Sequence, residues 1–172
     1  MRCSVFVGTS LDGFIARRDG AYDFLGEGGE EHGYVEFMAS IDTLLIGRNT
    51  FDVVAKMSEW PYGGKRVVVL THRPLEASGF GARVEPMSGD PNEIASRLAA
   101  SGAKHVYVDG GETVQEFLRA GLIHDLTITR VPVLIGEGIP LFGRVLKDIP
   151  LRHVRTRDYK SGLVSSVYEV IG

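Results

Sequence analysis

The chain has only one cysteine, Cys3, so no disulfide can form within it, and a reducing, cytoplasmic setting is the simpler expectation. It lacks any run of 18 apolar residues, and the apolar stretch at its start is too short for a signal peptide, so we expect no membrane partner. A basic excess is also missing: 19 lysines and arginines stand against 22 aspartates and glutamates, a net charge of −3. Because nucleic-acid-binding surfaces normally show such an excess, we expect no nucleic-acid partner.

Two common kinds of catalytic motif are absent as well. None of the five histidines stands at metal-ligand spacing beside a cysteine or a carboxylate cluster, which predicts that the chain has no metal site. There is no Gly-x-Ser-x-Gly motif and no evident Ser/His/Asp set, so serine-nucleophile chemistry is not indicated.

The length of 172 residues and the hydrophobic fraction of 44% fit one domain, residues 1–172, with a sizeable core. Apolar periodicity predicts strands at 2–7, 43–47, 66–70, 82–87, 106–108 and 125–131, and helices at 30–41, 48–56, 91–100 and 112–120. Two last strands, 151–159 and 163–170, predict an antiparallel hairpin. The alternation predicts an α/β fold, in which a mainly parallel central sheet lies between two layers of helices and that hairpin forms its edge.

The most informative motif is Val106-Tyr107-Val108-Asp109-Gly110-Gly111-Glu112-Thr113, which predicts a strand, a tight turn and a helix. Glycine has no Cβ, so the two glycines let a ligand approach the backbone closely. The helix start offers unpaired N–H groups and the positive end of the helix dipole, which suit phosphate. A pyrophosphate-bearing ligand is one interpretation, and a turn that only joins strand to helix is the other.

Two further strand ends carry cations and hydroxyl groups. Gly47-Arg48-Asn49-Thr50 offers a phosphate an arginine, a hydroxyl and backbone N–H groups, although a helix cap with a solvated arginine has the same pattern. The presence of a similar turn at Gly110-Gly111 favours a diphosphate held between two helix N-termini. Thr71-His72-Arg73 lacks the carboxylate that binds the ribose of NAD, and its cations suit the 2′-phosphate of NADP; a polar turn before Pro74 is the alternative.

Three other residues are candidates for the substrate side. Asp12, in Leu11-Asp12-Gly13, is either a catalytic carboxylate at the reacting end of the ligand or a turn aspartate that bonds its own backbone. Glu31 is a competing carboxylate on the next predicted helix. Trp60 and its neighbour Tyr62 either wall the substrate or pack on the domain as loop aromatics.

Taken in order, these motifs resemble the dihydrofolate reductase-like superfamily, and most closely the reductase domain of the bifunctional riboflavin-pathway deaminase-reductase. Each motif is weak by itself, but the ordered set is specific and spans nearly the whole chain. The segments that carry the resemblance are Ser10-Leu11-Asp12-Gly13-Phe14-Ile15-Ala16, Gly47-Arg48-Asn49-Thr50-Phe51, Leu70-Thr71-His72-Arg73, Asp109-Gly110-Gly111, Gly121-Leu122-Ile123-His124-Asp125-Leu126 and Pro132-Val133-Leu134-Ile135-Gly136-Glu137-Gly138.

The resemblance implies a three-layer αβα fold, NADPH as cofactor and a homodimer. It implies hydride transfer to a C=N or C=O carbon of a small heterocycle, similar to the reduction of 5-amino-6-(5-phosphoribosylamino)uracil, and we predict Asp12 as the acid. The implied cofactor contacts are Gly47, Arg48, Thr50, Gly110, Gly111, Glu112 and Thr113 at the phosphates, Thr71, His72 and Arg73 at the 2′-phosphate, and Leu11 and Ile15 at the nicotinamide, with Leu70 and Asp109 beside them.

Two departures from the resemblance concern the substrate, which we expect to lie against Asp12, Glu31 and Trp60. Dihydrofolate reductases carry Pro-Trp and a carboxylate where this chain has residues 23–31. The Ser/Arg-rich loop that holds the substrate phosphate in the riboflavin reductase corresponds here to residues 16–23, which include Arg17 and Arg18 in a different pattern. Dihydrofolate reduction and a non-catalytic NADPH- or nucleotide-binding role therefore stand as alternatives.

Overall fold

The computed structural model describes residues 1–26, 32–80 and 83–172. Over these residues the chain forms ten strands: β1 (Arg2–Ser10), β2 (Phe14–Ala16), β3 (Thr43–Gly47), β4 (Arg66–Leu70), β5 (Val84–Met87), β6 (His105–Asp109), β7 (Asp125–Val131), β8 (Ile139–Pro140), β9 (Leu151–Asp158) and β10 (Val164–Val170). Eight of them make one sheet in the order β5-β4-β3-β6-β1-β7-β10-β9, and β2 pairs with β8 in a small separate ribbon. The first six strands of this sheet, from β5 through β4, β3, β6 and β1 to β7, run parallel to one another. Strand β10 pairs antiparallel with β7, and β9 pairs antiparallel with β10.

Four α-helices connect the strands: α1 (Tyr34–Ser40), α2 (Arg48–Val54), α3 (Pro91–Ala100) and α4 (Gly111–Arg119). A short 3₁₀ helix, Asp23–Leu25, precedes α1. Helix α3 begins as its sequence predicts: the Asp90 side chain accepts a hydrogen bond from the Asn92 N–H at 2.9 Å, and Pro91 occupies the first turn. No helix in the described ranges is long and apolar enough to cross a bilayer.

Alternate residues of the central strands build two separate cores, one on each face of the sheet. Since successive strand side chains point to opposite faces, Val5 packs with α3 and α4 while its neighbour Phe6 packs with α1 and α2. Strand β4 shows the result most clearly, because Val67, Val68 and Val69 are all fully buried. The predicted three-layer αβα fold with a mainly parallel sheet is thereby confirmed.

The observed elements differ from the predicted ones at the end of β1, at β2 and at the start of α1. Strand β1 continues to Ser10, and residues 14–16 form β2 where the sequence predicts a loop, because β2 finds a partner in β8, more than 120 residues along the chain. A three-residue strand is too short to show alternation, so only the tertiary pairing reveals it. Helix α1 begins at Tyr34 instead of residue 30; residues 27–31 lie outside the described part of the chain.

The C-terminal hairpin is confirmed as two antiparallel strands. Strand β10 pairs with β7 on one side and with β9 on the other, with a register shift between Val167 and Tyr168. Strand β9 is the last strand of the sheet, and all eight of its residues are exposed.

Candidate active site

A cleft of about 930 Å³ lies beyond the carboxyl ends of β4, β3, β6 and β1. These strands are neighbours in the sheet, so the cleft spans three strand spacings, about 14 Å. Its volume is near the upper end of the usual range for small-molecule sites. In parallel sheets this edge is where ligands bind, since the turn after each strand opens there.

Two of these turns pack against each other at the centre of the cleft. The pairing of Ile46 with Asp109 brings the β3–α2 turn beside the β6–α4 turn. A Cβ built on Gly47 would lie 3.0 Å from Thr113 Oγ1, and a Cβ built on Gly110 would lie 2.8 Å from Thr50 Oγ1. Each glycine therefore faces the threonine of the other turn, and a side chain at either position would crowd that threonine hydroxyl.

The start of α4 faces the cleft with no side chain capping it. Its N-cap is Gly110, whose φ of 98° lies in the region that only glycine adopts readily. The first-turn N–H groups of a nine-residue helix and its dipole suit an anion. The Glu112 side chain also lines the cleft, so at that position only the backbone N–H suits a phosphate.

The side chains after β3 and β4 form what we call the cationic end of the cleft, made of Arg48, Thr71, His72 and Arg73. Arg48 Nε donates to Asp52 Oδ1 at 2.8 Å and one terminal nitrogen donates to the Pro74 carbonyl at 2.9 Å, which ties α2 to the turn after β4. The Arg73 side chain is 64% exposed and lies 3.7 Å from Asp52. Asp52 is thus occupied mainly by Arg48, and Arg73 remains accessible to a ligand.

The opposite end of the cleft, beyond β1 and beneath α1, is apolar and aromatic. The Phe6 ring stacks on Phe37 with centroids 4.9 Å apart and meets the edge of Tyr34 at 5.5 Å. The Tyr107 hydroxyl donates to the Phe6 carbonyl at 2.7 Å, which joins β6 to β1 under these rings. We call this region the aromatic end; its members are Phe6, Tyr22, Leu25, Tyr34, Tyr62 and Tyr107.

Asp109 is the last residue of β6 and lies on the same face as Tyr107, two residues earlier. Burial raises the pKa of its carboxyl to about 6, and the hydrogen bond that it accepts from the Gly110 N–H at 2.8 Å partly opposes that rise. Burial, with a smaller contribution from the Asp109 charge, also raises the pKa of Tyr34. A cleft carboxyl with a pKa near neutrality can hold and release a proton under ordinary conditions.

Most of the predicted cofactor residues are brought together in this cleft. Leu11 is not: its side chain is 57% exposed and lies away from the cleft lining. Glu31 lies outside the described residues. The predicted residues that line the cleft are Ile15, Gly47, Arg48, Thr50, Leu70, Thr71, His72, Arg73, Asp109, Gly110, Gly111, Glu112 and Thr113.

The Asp12 carboxylate does not line the cleft. Its oxygens accept from the N–H of Gly136 at 2.8 Å and of Ile135 at 3.3 Å, and hydrogen bonds, first from the Ser10 side chain, lower its pKa. Asp12 therefore fastens the β1–β2 turn to the loop at residues 135–136. The sequence offers a turn aspartate that bonds its own backbone as one interpretation, but these hydrogen bonds run to the backbone of a distant loop; the catalytic role of Asp12 stays a prediction.

Trp60 packs in an aromatic cluster behind the cleft wall. Its ring lies 4.7 Å from Phe80, 5.2 Å from Tyr62 and 6.4 Å from Phe51, measured between centroids. Tyr62 rather than Trp60 reaches the cleft surface.

Sequence reasoning missed Phe6, Tyr22, Leu25, Tyr34 and Tyr107 as lining residues. Strand alternation offered one signal, because it places Tyr107 and Asp109 on the same face. Leu25 gave none: it reaches the cleft because it packs over Gly8, whose Cβ would lie 3.1 Å from Leu25 Cδ2.

Comparison with known proteins agrees with this architecture. The family model of the RibD C-terminal domain matches residues 3–165 of the chain. A crystal structure of a Shewanella sp. PV-4 protein, provisionally assigned to riboflavin biosynthesis, superimposes with a TM-score of 0.92 and 34% identity over 100% of both chains.

Two more distant structures show the same fold. The Thermotoga maritima diaminohydroxyphosphoribosylaminopyrimidine deaminase/5-amino-6-(5-phosphoribosylamino)uracil reductase matches with a TM-score of 0.77 and 16% identity, over 99% of this chain and 56% of that one. Dihydrofolate reductase from Enterococcus faecalis, complexed with NADP(H), matches with a TM-score of 0.66 and 17% identity, over 98% and 96%. The predicted dihydrofolate reductase-like fold is confirmed.

Proposed function

The chain belongs to the RibD C-terminal domain family, and from that membership we propose that it is an NADPH-dependent reductase of a small heterocyclic substrate. The single observation that carries the proposal is the close packing of the two glycine turns at the centre of the cleft. It leaves a side-chain-free cradle beside the start of α4, with Thr50 and Thr113 hydroxyls on either side. Those groups fit a pyrophosphate, which needs close backbone approach and several donors.

The cationic end supports NADPH over NADH. NADPH differs from NADH by a phosphate on the adenosine ribose, and a site for it needs a cation in place of a ribose-binding carboxylate. Arg73 is exposed, lines the cleft and has His72 and Thr71 beside it. Asp52 is the nearest carboxylate and already pairs with Arg48, so it holds the arginines in place more than it repels a phosphate.

We place the nicotinamide on the cleft side of the β2–β8 ribbon, which itself packs against the start of α4. A Cβ on Gly111 would lie 3.0 Å from Ile15 Cδ1 and 3.1 Å from the Pro140 carbonyl oxygen, so this ribbon presses on the glycine turn. Ile15 and Ala16 supply an apolar surface for a planar ring. When bound, NADPH supplies a hydride from C4 of the nicotinamide.

We assign the proton that accompanies the hydride to Asp109 instead of Asp12, because Asp109 lines the cleft and Asp12 does not. As the substrate carbon of a C=N or C=O bond accepts the hydride, the Asp109 carboxyl donates its proton to the nitrogen or oxygen. The resulting carboxylate recovers a proton from water. Its raised pKa matches this exchange at near-neutral pH.

The test of the proposal is direct. Calorimetric titration should show NADPH binding to the purified protein, and NADPH oxidation at 340 nm should be followed with dihydrofolate and with 5-amino-6-(5-phosphoribosylamino)uracil, each paired with its unphosphorylated or truncated analogue. Absence of NADPH binding at millimolar concentration would contradict the proposal. NADPH binding without turnover of any C=N or C=O acceptor would instead indicate a nucleotide-binding protein that is not a reductase.

We further propose that the protein is a homodimer joined through β9. Among the described strands, β9 ends the sheet with an unpaired outer edge; Val154 on β9 is 48% exposed, and Leu146, in the loop before β9, is 89% exposed. An antiparallel edge strand can pair with its own copy about a two-fold axis. Burial of the exposed apolar side chains would add to the stability of that contact.

A further inference from the structure

Positive charge in the cleft is confined to one end. Among the described residues that line it, the side chains able to carry positive charge are Arg48, His72 and Arg73, and all three follow β3 or β4. The segments outside the described ranges, 27–31 and 81–82, contain no lysine, arginine or histidine in the sequence. The aromatic end, two to three strands away, thus receives no lysine or arginine from the described lining; the His32 ring lies 5.6 Å from that of Phe6, measured between centroids, but does not line the cleft.

The arginines nearest to the aromatic end along the chain, Arg17 and Arg18, form largely exposed ion pairs with carboxylates outside the cleft lining. Arg17 donates to both carboxylate oxygens of Asp23, at 2.6 and 2.9 Å. Arg18 pairs with Glu137 at 2.8 Å. Neither arginine lines the cleft, although Ala16, Gly20 and Tyr22 around them do.

The chemistry that is present at the aromatic end suits a flat ring. Tyr22, which is 41% exposed, and the half-buried Tyr34 offer ring surfaces and hydroxyl groups to a ligand, whereas Phe6 and Tyr62 are buried and expose little of their rings. Leu25 closes one side over Gly8. The one carboxyl group in this region of the described lining is Asp109, which repels an anion whenever it is ionised.

A phosphate would be poorly placed here. Moving a dianion out of water into an aromatic pocket without a partner cation is strongly unfavourable, and the Asp109 carboxylate would add repulsion. The same surroundings favour an uncharged heterocycle, which loses little on leaving water and gains stacking with the rings.

We infer that the aromatic end binds an uncharged, flat heteroaromatic ring that carries no phosphate, so that the substrate is an unphosphorylated pyrimidine- or pteridine-type heterocycle. The inference rests on the proposed function, and it separates this chain from reduction of a phosphoribosyl substrate. It follows from the placement of Arg17 and Arg18 in outside ion pairs and from the aromatic lining between them and Asp109.

A matched pair of ligands tests the inference. Protein saturated with NADP⁺ is titrated with 5-amino-6-(ribosylamino)uracil and with its 5′-phosphate, which differ only in the phosphate, and with 7,8-dihydropterin. We expect the Kd of the nucleoside to be at least ten-fold lower than that of its phosphate. An equal or tighter Kd for the phosphate overturns the inference, and so does failure of both the nucleoside and the dihydropterin to bind.

A charge variant supplies the second measurement. Tyr22→Lys places a cation at the aromatic end and should lower the Kd of the 5′-phosphate at least five-fold, whereas the matched Tyr22→Gln variant should not. NADP⁺ affinity is measured on each protein first. If NADP⁺ fails to bind, the proposed function is contradicted, and the ligand pair, titrated without it, still decides between a phosphorylated and an unphosphorylated ring.

Discussion

The hydroxyl oxygen of Thr50 lies 2.8 Å from the position that a Cβ on Gly110 would occupy. The two residues belong to different strand–helix turns, so a side chain at Gly110 would displace the Thr50 hydroxyl that belongs to the other turn. The cradle proposed for the pyrophosphate is therefore a property of both turns together.

Gly110→Ala should weaken NADPH binding at least ten-fold, because the new Cβ would displace the Thr50 hydroxyl and fill part of the proposed cradle. It should also lower the free energy of unfolding by about 1–3 kcal/mol, since alanine is strained at a φ of 98°. Calorimetry and chemical denaturation measure the two effects. Gly121→Ala is the control: its φ is also positive, but nothing lies within 4 Å of its Cβ. Equal NADPH affinities for both variants would contradict the cradle.

Arg73→Ala should raise the Kd of NADPH about ten-fold and leave that of NADH nearly unchanged, because only NADPH carries the phosphate that the guanidinium would bind. The difference should shrink at high salt, as expected for an exposed charge. Arg83→Ala is a matched control, with a side chain that is 68% exposed, compared with 64% for Arg73, and lies outside the cleft lining. Equal losses for the two dinucleotides would refute the role of Arg73.

Asp109→Asn should change how stability depends on pH. Burial raises the Asp109 pKa from 3.8 to about 6, so the folded protein holds this proton more tightly than the unfolded chain does. The stability gained from the neutral carboxyl is fully present below pH 4 and is lost as the pH rises through 6. Relative to the asparagine variant, the wild type should therefore lose up to about 3 kcal/mol between pH 4 and pH 7. Parallel stability curves for the two proteins would show that Asp109 is not buried in this way.

Asp12→Asn tests whether Asp12 positions the β1–β2 turn or donates the proton. As a positioning residue, it should lower kcat several-fold by loosening the turn that carries Ile15, and the pH profile of kcat/KM should keep its shape. In Asp109→Asn the fall of kcat/KM above about pH 6 should disappear. Loss of that pH dependence in the Asp12 variant would instead identify Asp12 as the proton donor.

Leu146→Lys combined with Val154→Lys should convert the dimer to a monomer by placing charge on the proposed contact at β9. Light scattering after size-exclusion chromatography measures the mass. Met57→Lys, which alters an exposed apolar residue (41%) just after α2, beside β3 and β4 at the other end of the sheet, should leave the dimer intact. A monomeric wild-type protein at micromolar concentration would rule out the proposed interface.

Much of the cleft follows from the sequence because parallel strands end at the same edge. An apolar run followed by Gly47-Arg48, by Thr71-His72 or by Gly110-Gly111 places each of these turns there, whatever the details of packing. The long-range partners do not follow in the same way. Asp12 finds backbone N–H groups at 135 and 136, and β2 finds β8, through contacts that no local pattern encodes.

The aromatic end shows the same limit. Trp60 and Tyr62 are equally plausible wall residues from sequence, and only the packing of Trp60 on Phe80 decides that Tyr62 takes the cleft surface. Asp109 is placed in the site by its motif, but its pKa depends on burial among residues from β1, α1 and the loop after α2. Titration behaviour is thus a tertiary property that the motif does not carry.

The order of strands in the sheet separates two groups of residues. Those that would recognise the dinucleotide follow β3 and β4, and the rings that would recognise the substrate lie near β1 and α1. The two groups share no residue, so we expect that the preferences proposed for the cofactor and for the substrate can be altered separately. A protein engineer can exchange the loop after β4 to accept NADH, or remodel residues 22–25 for a new acceptor, as two separate projects.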